Sequence, residues 1–182
     1  MAYLQVYQVA EDTLLLLEAA REEVRPGELV LEIGTGSGHI ASTISGIARV
    51  MATDINPHAV RAARMKGVEV VRADLFNGIS GRFDLILFNP PYLPTRDEER
   101  IDDWLEYALD GGESGREVIE MFVRQVPSAL APGARILLLI SSLTGEEEVI
   151  RIWNESGFFV EVMKRAVIEG GEELLVLRCR YK

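Results

Sequence analysis

The chain has 182 residues, and its 29 acidic against 19 basic side chains give a formal net charge of −10. That balance disfavours direct binding of nucleic acid, which needs clustered Lys and Arg to neutralise phosphates. The single cysteine, Cys179, excludes an intrachain disulfide, and no cysteine lies near His39 or His58, so no metal site is expected.

The N-terminal residues lack the features of a secretion signal, and the apolar run Leu14–Leu17 is far shorter than the roughly 20 residues that span a bilayer. We therefore expect a cytoplasmic protein. The length fits one domain, predicted over residues 1–182, with an N-terminal helical segment at 1–27 and a core at 28–182. In that core, apolar runs alternate with helix-period segments, which is typical of helices on both faces of a mostly parallel sheet.

The first helix is predicted from Asp12 to Val24 and is ended by Pro26-Gly27. The residues expected on its buried face are Leu14, Leu17, Ala20 and Val24. A strand predicted at Leu29–Ile33 follows the helix.

That strand leads into a glycine-rich loop, Gly34–Gly38, which opens a helix ending near Gly46. The sequence LEIGTGSG at 31–38 puts Glu32 inside the strand and Gly34, Gly36 and Gly38 at alternate positions. Glycine lets the backbone turn sharply and lets a ligand approach closely. The pattern GxGxG differs from the nicotinamide fingerprint GxGxxG, so by itself the loop indicates only a nucleotide-type ligand.

The next two strands are predicted at Val50–Thr53 and Val68–Arg72. Between them, a helix begins at Pro57, where the missing N–H of proline does no harm, and Gly67 ends it.

Acidic residues follow both of these strands. Asp54 could accept both hydroxyls of a ribose, or it could be a solvated loop residue. Asp74 and the next backbone N–H could bind an adenine edge while Leu75 packs on the adenine face, or Asp74 could cap a helix. Because the carboxyl ends of parallel strands meet at one crevice, Glu32, Asp54 and Asp74 are expected to converge there.

The fourth strand, Phe83–Asn89, ends in the tetrapeptide Asn89-Pro90-Pro91-Tyr92. The prolines fix the backbone and remove two N–H donors, so the Pro90 carbonyl and the Asn89 side-chain oxygen can act as two acceptors directed at one point. That arrangement suits the NH₂ of a planar amide or base, with Tyr92 stacked on it. Two hydrogen bonds would orient the nitrogen toward an activated methyl donor such as S-adenosylmethionine. An ordinary Pro-Pro turn is the alternative.

The tetrapeptide opens a long stretch without a clean period, Pro90–Gly115, and connections of that length are usually functional or disordered. Its charged run Arg96–Arg100 is interpreted as solvated surface, with steering of a protein partner as the alternative. The next helix is predicted to be kinked or shortened by Pro127. Its buried face comprises Ile119, Phe122, Val123 and Val126.

The fifth strand is predicted at Ala134–Ile140. Thr144 with Glu147 is interpreted as a capping box, which puts the acidic run Glu146–Glu148 at a helix N-terminus. Two final strands, Phe158–Ala166 and Glu172–Arg180, are predicted to form a hairpin through Glu169-Gly170-Gly171.

Six segments together resemble the HemK-like methyltransferases, which modify the glutamine amide of the GGQ motif in class 1 translation release factors. More narrowly, they resemble the short archaeal and eukaryotic branch of that family. The segments are YQVAEDTLLLL (7–17), LEIGTGSG (31–38), ATDINPHA (52–59), ADL (73–75), LFNPPYLPT (87–95) and GGESGREVIEMF (111–122). Val9 is a departure, since relatives typically carry proline there.

The resemblance implies an α/β fold of the Rossmann-like class I methyltransferase type, with a seven-stranded, mostly parallel sheet and one antiparallel strand. It implies that Asn89, Pro90 and Tyr92 hold the substrate glutamine. It also implies a release factor as substrate and a small zinc-binding activator subunit as partner. The residues expected around the cofactor S-adenosylmethionine are Thr13, Glu32, Gly34, Gly36, Gly38, Asp54, Asp74, Leu75 and Asn89.

Several alternatives stay open. An enzyme methylating the exocyclic amine of adenine or guanine in RNA or DNA could use the same tetrapeptide, although the acidic balance argues against it. Protein lysine is another possible methyl acceptor. A non-catalytic, cofactor-binding scaffold subunit is disfavoured by the intact tetrapeptide, and a nicotinamide-linked reductase fits least well.

Overall fold

A computed structural model describes the chain at residues 5–95 and 103–182. The strands are β1 (Leu29–Ile33), β2 (Arg49–Asp54), β3 (Glu69–Arg72), β4 (Phe83–Phe88), β5 (Leu130–Ser141), β6 (Phe158–Val167) and β7 (Glu173–Tyr181). The α-helices are α1 (Glu11–Glu23), α2 (His39–Ile44), α3 (Pro57–Met65), α4 (Glu117–Gln125) and α5 (Glu146–Glu155). The charged run Arg96–Arg100, interpreted above as solvated surface, lies outside the described residues.

The strands form one sheet in the order β3-β2-β1-β4-β5-β7-β6. Neighbouring strands are parallel except at β7, which runs antiparallel to both β5 and β6. The predicted seven-stranded α/β sheet with one antiparallel strand is therefore confirmed. Strand order reverses between β1 and β4, and open sheets of this kind bind ligands at the carboxyl ends of the strands beside such a point.

Helices cover both faces of the sheet because side chains alternate along each strand. Val30 of β1 packs in the core that also contains the buried residues of α1, α2 and α3. Its neighbours Leu31 and Ile33 pack in the opposite core, with α4 and α5. In the described part of the chain, no helix is long and apolar enough to cross a membrane.

The helix predicted before Pro127 is confirmed, with all four expected residues buried. It ends at Gln125, and Val126 and Pro127 continue in a short 3-10 turn. The loss of a backbone N–H at proline explains why the α-helix ends there.

The predicted buried face of α1 is wrong at Leu14, which is 52% exposed. The helix packs on β5, β6 and β7, and its most buried residues include Leu16, Ala19 and Ala20. At 3.6 residues per turn, Leu14 lies on nearly the opposite side of the helix from Leu16. The other three residues expected on the buried face, Leu17, Ala20 and Val24, are buried as predicted.

The capping box predicted for Thr144 and Glu147 is also wrong. The residue that caps α5 is Gly145, and no side chain caps this helix. Thr144 lies one residue earlier, in the 3-10 turn that ends β5, where its hydroxyl donates to the Ser141 carbonyl. The acidic run Glu146–Glu148 does occupy the first turn of α5, as predicted.

Candidate active site

A cavity of about 810 Å³ opens at the carboxyl ends of β1 to β4. The segment before α1 also forms part of its wall, through Tyr7 and Gln8. The predicted site residues on this wall are Thr13, Glu32, Gly34, Gly36, Asp54, Asp74, Leu75, Asn89, Pro90 and Tyr92. The fold therefore brings together residues that are spread over 80 positions of sequence.

Gly38 is the exception among the predicted cofactor residues, because it does not line the cavity. It caps α2 with a φ of +73°, and a Cβ there would lie 2.8 Å from Cα and Cβ of Ala63 in α3. Glycine is required at this position by the close approach of the two segments, and this packing accounts for its place in the loop.

Glu32 holds the glycine loop against the start of α2. Its Oε2 accepts hydrogen bonds from the Thr35 hydroxyl at 2.6 Å and from the Ala41 backbone N–H at 3.0 Å. The side chain is almost fully buried, and burial raises the pKa of its carboxyl group to about 7. The loop is thus shaped by a carboxylate at the end of β1.

Asp54 at the end of β2 is held in a fixed orientation by two backbone N–H groups. Oδ2 accepts from Gly36 and Oδ1 accepts from Asn56, both at 2.8 Å. Burial raises the pKa of this carboxyl group, although the two hydrogen bonds act in the opposite direction. A carboxylate oriented this way on a cavity wall, behind a glycine loop, fits the pair of hydroxyls on a ribose.

Asp74 lies in a turn after β3 and is exposed, and its carbonyl accepts the Asn77 N–H. No described helix begins here, so the helix-capping alternative is wrong. The next residue, Leu75, has a φ of +48° and is the one non-glycine residue with positive φ in the described chain. Such strain costs roughly 1–3 kcal/mol and clusters at ligand sites.

Asn89 has its side-chain amide oriented by a residue that sequence analysis did not select. Asn89 Nδ2 donates to Oδ2 of Asp12 at 2.9 Å. Asn89 Oδ1 is buried and has no hydrogen-bond partner among the described residues. Because an ionised carboxylate only accepts hydrogen bonds, Asp12 fixes which end of the amide is free. An unpaired buried acceptor on a cavity wall indicates a ligand donor.

Two tyrosines also donate to Asp12 Oδ2, Tyr7 at 2.9 Å and Tyr92 at 3.4 Å. Burial, followed by the charge of Asp12, raises the pKa of both phenols far above their usual range. The hydroxyls therefore stay protonated and remain donors. Stacking of Tyr92 on a substrate stays a prediction.

The carbonyl of Pro90 takes part in no hydrogen bond formed among the described residues. The connection after the tetrapeptide returns beside it, since Leu93 donates to the Leu109 carbonyl and accepts from the Gly111 N–H. Gly115 has a φ of +71°, and a Cβ there would lie 2.6 Å from the Tyr92 carbonyl. The GGESG segment therefore packs directly against the tetrapeptide.

Sequence reasoning missed several cavity residues, namely Tyr7, Asp12, Trp104, Glu106 and Glu172. Asp12 stands next to Thr13 in the quoted segment, but an acidic residue in a first helical turn has an ordinary explanation in the helix dipole. Glu106 has a buried Oε1 without a hydrogen-bond partner in the described chain.

The cavity is acidic. Among the described residues that line it, eight are Asp or Glu and none is Lys, Arg or His. The acidic residues are Asp12, Glu32, Asp54, Asp74, Glu106, Asp110, Glu117 and Glu172. Such a wall repels phosphate groups and accepts neutral or positively charged donors.

Comparison with known proteins gives consistent matches. Residues 7–104, more than half of the chain, match the family model "Methyltransferase small domain". A putative protein N5-glutamine methyltransferase of Methanocaldococcus jannaschii is 40% identical over 95% of this chain and 90% of its own length. The human methyltransferase HEMK2 is 39% identical over 86% of this chain and 81% of its own length.

Among solved structures, the E. cuniculi Mtq2-Trm112 complex, described as responsible for methylation of the eRF1 translation termination factor, contains a similar chain. It superposes with a TM-score of 0.83 at 30% identity, covering 98% of this chain and 99% of that one.

Proposed function

The chain belongs to the methyltransferase small domain family and, within it, to the S-adenosylmethionine-dependent protein-glutamine methyltransferases, and we propose that it modifies the GGQ glutamine of a class 1 translation release factor. One observation carries this proposal. The buried Oδ1 of Asn89 faces no donor among the described residues, while Asp12 holds the other end of the same amide.

Asn89 Oδ1 and the Pro90 carbonyl accept the two N–H groups of the substrate amide. Both acceptors are neutral, so they orient the nitrogen without removing its proton beforehand. The nitrogen releases one proton to solvent after it has bonded to the methyl group. Orientation matters here because an amide nitrogen is a weak nucleophile whose lone pair is delocalised into the carbonyl group. Fixing such a group in an attack geometry can supply several kcal/mol of the barrier reduction. Tyr92 closes the same side of the cavity and stacks on the flat amide.

The cofactor residues are Thr13, Glu32, Gly34, Gly36, Asp54, Asp74, Leu75 and Asn89. S-adenosylmethionine, when bound, supplies a methyl group already activated by its sulfonium charge. The two oriented oxygens of Asp54 accept the ribose hydroxyls, and the turn at Asp74 and Leu75 receives the adenine. The acidic wall also favours the positive charges of this cofactor.

A small partner subunit binds this chain, and the support for this is that the similar E. cuniculi chain is part of an Mtq2-Trm112 complex. We expect that subunit to bind zinc, as the family resemblance implies. The predicted cytoplasmic location fits a protein that acts on a translation factor.

The test is mass spectrometry of a release factor after incubation with the chain and S-adenosylmethionine, with and without a zinc-binding partner. One added methyl group on the GGQ glutamine is expected, and none on a release factor whose motif carries Asn in place of that glutamine. Asn89→Ala should abolish transfer, with a much smaller loss of cofactor affinity, because the other cofactor residues stay in place. Methyl transfer to RNA or DNA alone would overturn the proposal; the acidic wall of the cavity argues against that outcome.

A further inference from the structure

The hairpin between β6 and β7 carries one acidic side chain, Glu172, into the cavity. The backbone around it is fixed at two points. The Ile168 N–H donates to the Glu172 carbonyl at 2.9 Å, and the Glu173 N–H donates to the Ser142 hydroxyl at 3.1 Å. The position of Glu172 is therefore set by the end of β5 as well as by the hairpin.

Among the residues that the structure describes, a single hydrogen bond holds the Glu172 side chain. Its Oε1 accepts from the hydroxyl of Ser141, which is fully buried at the carboxyl end of β5. The Ser141 oxygen itself accepts from the Leu143 N–H at 3.1 Å, which directs its hydroxyl hydrogen toward Glu172. The second carboxylate oxygen, Oε2, forms no hydrogen bond within the described residues. A carboxylate can accept several hydrogen bonds, so this side chain is oriented but incompletely paired.

Glu172 lies on the substrate side of the cavity. It lines the same cavity as Asp12, Asn89 and Tyr92. Ser141, which donates to Glu172, ends β5, and β5 pairs with β4, the strand that leads into the tetrapeptide. Glu172 therefore lies at the strand end next to the tetrapeptide.

A Gly-Gly-Gln segment offers no side chain before the glutamine, so its recognition there must use backbone groups. Those groups lose water when they enter a cavity, and an unpaired buried N–H is costly. We propose that Glu172 is a substrate-binding residue whose free carboxylate oxygen accepts a backbone N–H of the peptide, either that of the target glutamine or that of the glycine before it. This inference rests on the proposed function, since it assumes a glutamine peptide in this cavity.

A purely structural role is the competing account, in which Glu172 only braces the hairpin through Ser141. The two accounts differ in what the substrate must contain. If Glu172 only supports the hairpin, removing a backbone N–H of the peptide changes the affinity equally with and without Glu172. If Glu172 binds the peptide, the N–H that donates to it contributes to the affinity only when Glu172 is present.

The experiment measures binding of a Gly-Gly-Gln peptide to the chain loaded with S-adenosylhomocysteine, by fluorescence anisotropy. Glu172→Ala should weaken peptide binding at least about 10-fold, because hydrogen bonds to charged groups are among the stronger ones. Affinity for S-adenosylhomocysteine should not change. The matched control is Glu169→Ala, an exposed acidic residue of the same hairpin, which should bind peptide like the unmodified chain.

Two further peptides replace the amide before the glutamine, or the amide before the preceding glycine, with an ester that has no N–H. One ester peptide should bind the unmodified chain as weakly as the normal peptide binds Glu172→Ala. The same ester peptide should bind Glu172→Ala no more weakly than either change alone predicts, because both changes remove the same hydrogen bond. If each ester lowers the affinity by the same factor in the unmodified chain and in Glu172→Ala, the inference is overturned. Unchanged peptide binding in Glu172→Ala would also overturn it. Peptide binding is measured here without methyl transfer, so the two proposals can fail separately. If the ester and Glu172→Ala remove the same part of the affinity in a chain that methylates no glutamine, this inference is supported and the proposed function is refuted.

Discussion

Replacing Asp12 with Asn should reverse the orientation of the Asn89 side chain. Oδ1 of Asp12 accepts the backbone N–H of Thr13, a donor that cannot turn, so a new amide must keep its oxygen at that place. Its NH₂ group then replaces Oδ2, which in the unmodified chain accepts from Nδ2 of Asn89 and from the hydroxyls of Tyr7 and Tyr92. The two hydroxyls can turn and accept from the new NH₂ group, but Nδ2 of Asn89 can only donate. To avoid two facing donors, Asn89 must rotate its amide and present NH₂ to the substrate nitrogen.

The size of the effect follows from this rotation. The substrate loses one directed acceptor and meets a donor in its place. Loss of one preorganised hydrogen-bonding group typically costs about 3 kcal/mol of transition-state stabilisation, which corresponds to roughly 100-fold in kcat. Cofactor affinity should fall much less than kcat, because the Asp54 carboxylate and its two backbone contacts stay in place and only the contact of Asn89 changes.

The assay is transfer of a radiolabelled methyl group to a glutamine peptide, with cofactor Kd measured by calorimetry. Glu11→Gln removes the neighbouring exposed charge and is the matched control, with an expected kcat near that of the unmodified chain. In an Asn89→Ala background, Asp12→Asn should add little further loss, because Asp12 acts through Asn89. A kcat close to normal in Asp12→Asn, or an equally large loss in both backgrounds, would refute this reasoning.

Three further predictions concern the cofactor residues and the scaffold. The pKa of Glu32 is raised to about 7 in the folded chain from an ordinary value of 4.5, so stability should fall as pH rises through this window, and Glu32→Gln should flatten the profile measured by calorimetric unfolding. Asp54→Ala should remove the rise in melting temperature caused by S-adenosylmethionine; persistence of that rise would exclude the ribose role. Arg135 is buried and pairs with Glu23 at 3.0 Å and Glu28 at 2.7 Å, so Arg135→Met should lower the free energy of unfolding by roughly 3 kcal/mol in a denaturant titration. The exposed Arg124→Met should cost less than about 1 kcal/mol, and equal losses would contradict the burial argument.

The strands were predictable because each apolar run is bounded by turn residues or charges. Strands β1 and β4 match their predicted bounds to within one residue. The start of β5 does not, since Ala131-Pro132-Gly133 has the composition of a turn. The structure continues β5 back to Leu130 through a shift in its register with β4, between Phe83 and Leu85. A register shift depends on the neighbouring strand, which local sequence does not encode.

The walls of the site were predictable for a similar reason. Residues at the carboxyl ends of parallel strands must meet at one edge of the sheet, and Asp54, Asp74 and Asn89 do so. Asp12 was not predictable in this way, because its contact with Asn89 spans 77 positions of sequence and comes from a helix rather than a strand. Glu172 was assigned to a strand, although it lies in the turn before β7, where its hydrogen bond to Ser141 spans 31 positions. Both residues acquire their roles only from tertiary packing.

The most direct test is a crystal structure of the chain with S-adenosylhomocysteine and a glutamine peptide. Asn89 Oδ1 and the Pro90 carbonyl should each lie about 3 Å from the side-chain nitrogen of the glutamine, a normal hydrogen-bond distance. Asp12 should still accept from Asn89 Nδ2. A glutamine nitrogen bound elsewhere in the cavity, or an Asn89 amide that presents its NH₂ group to the substrate, would contradict the account.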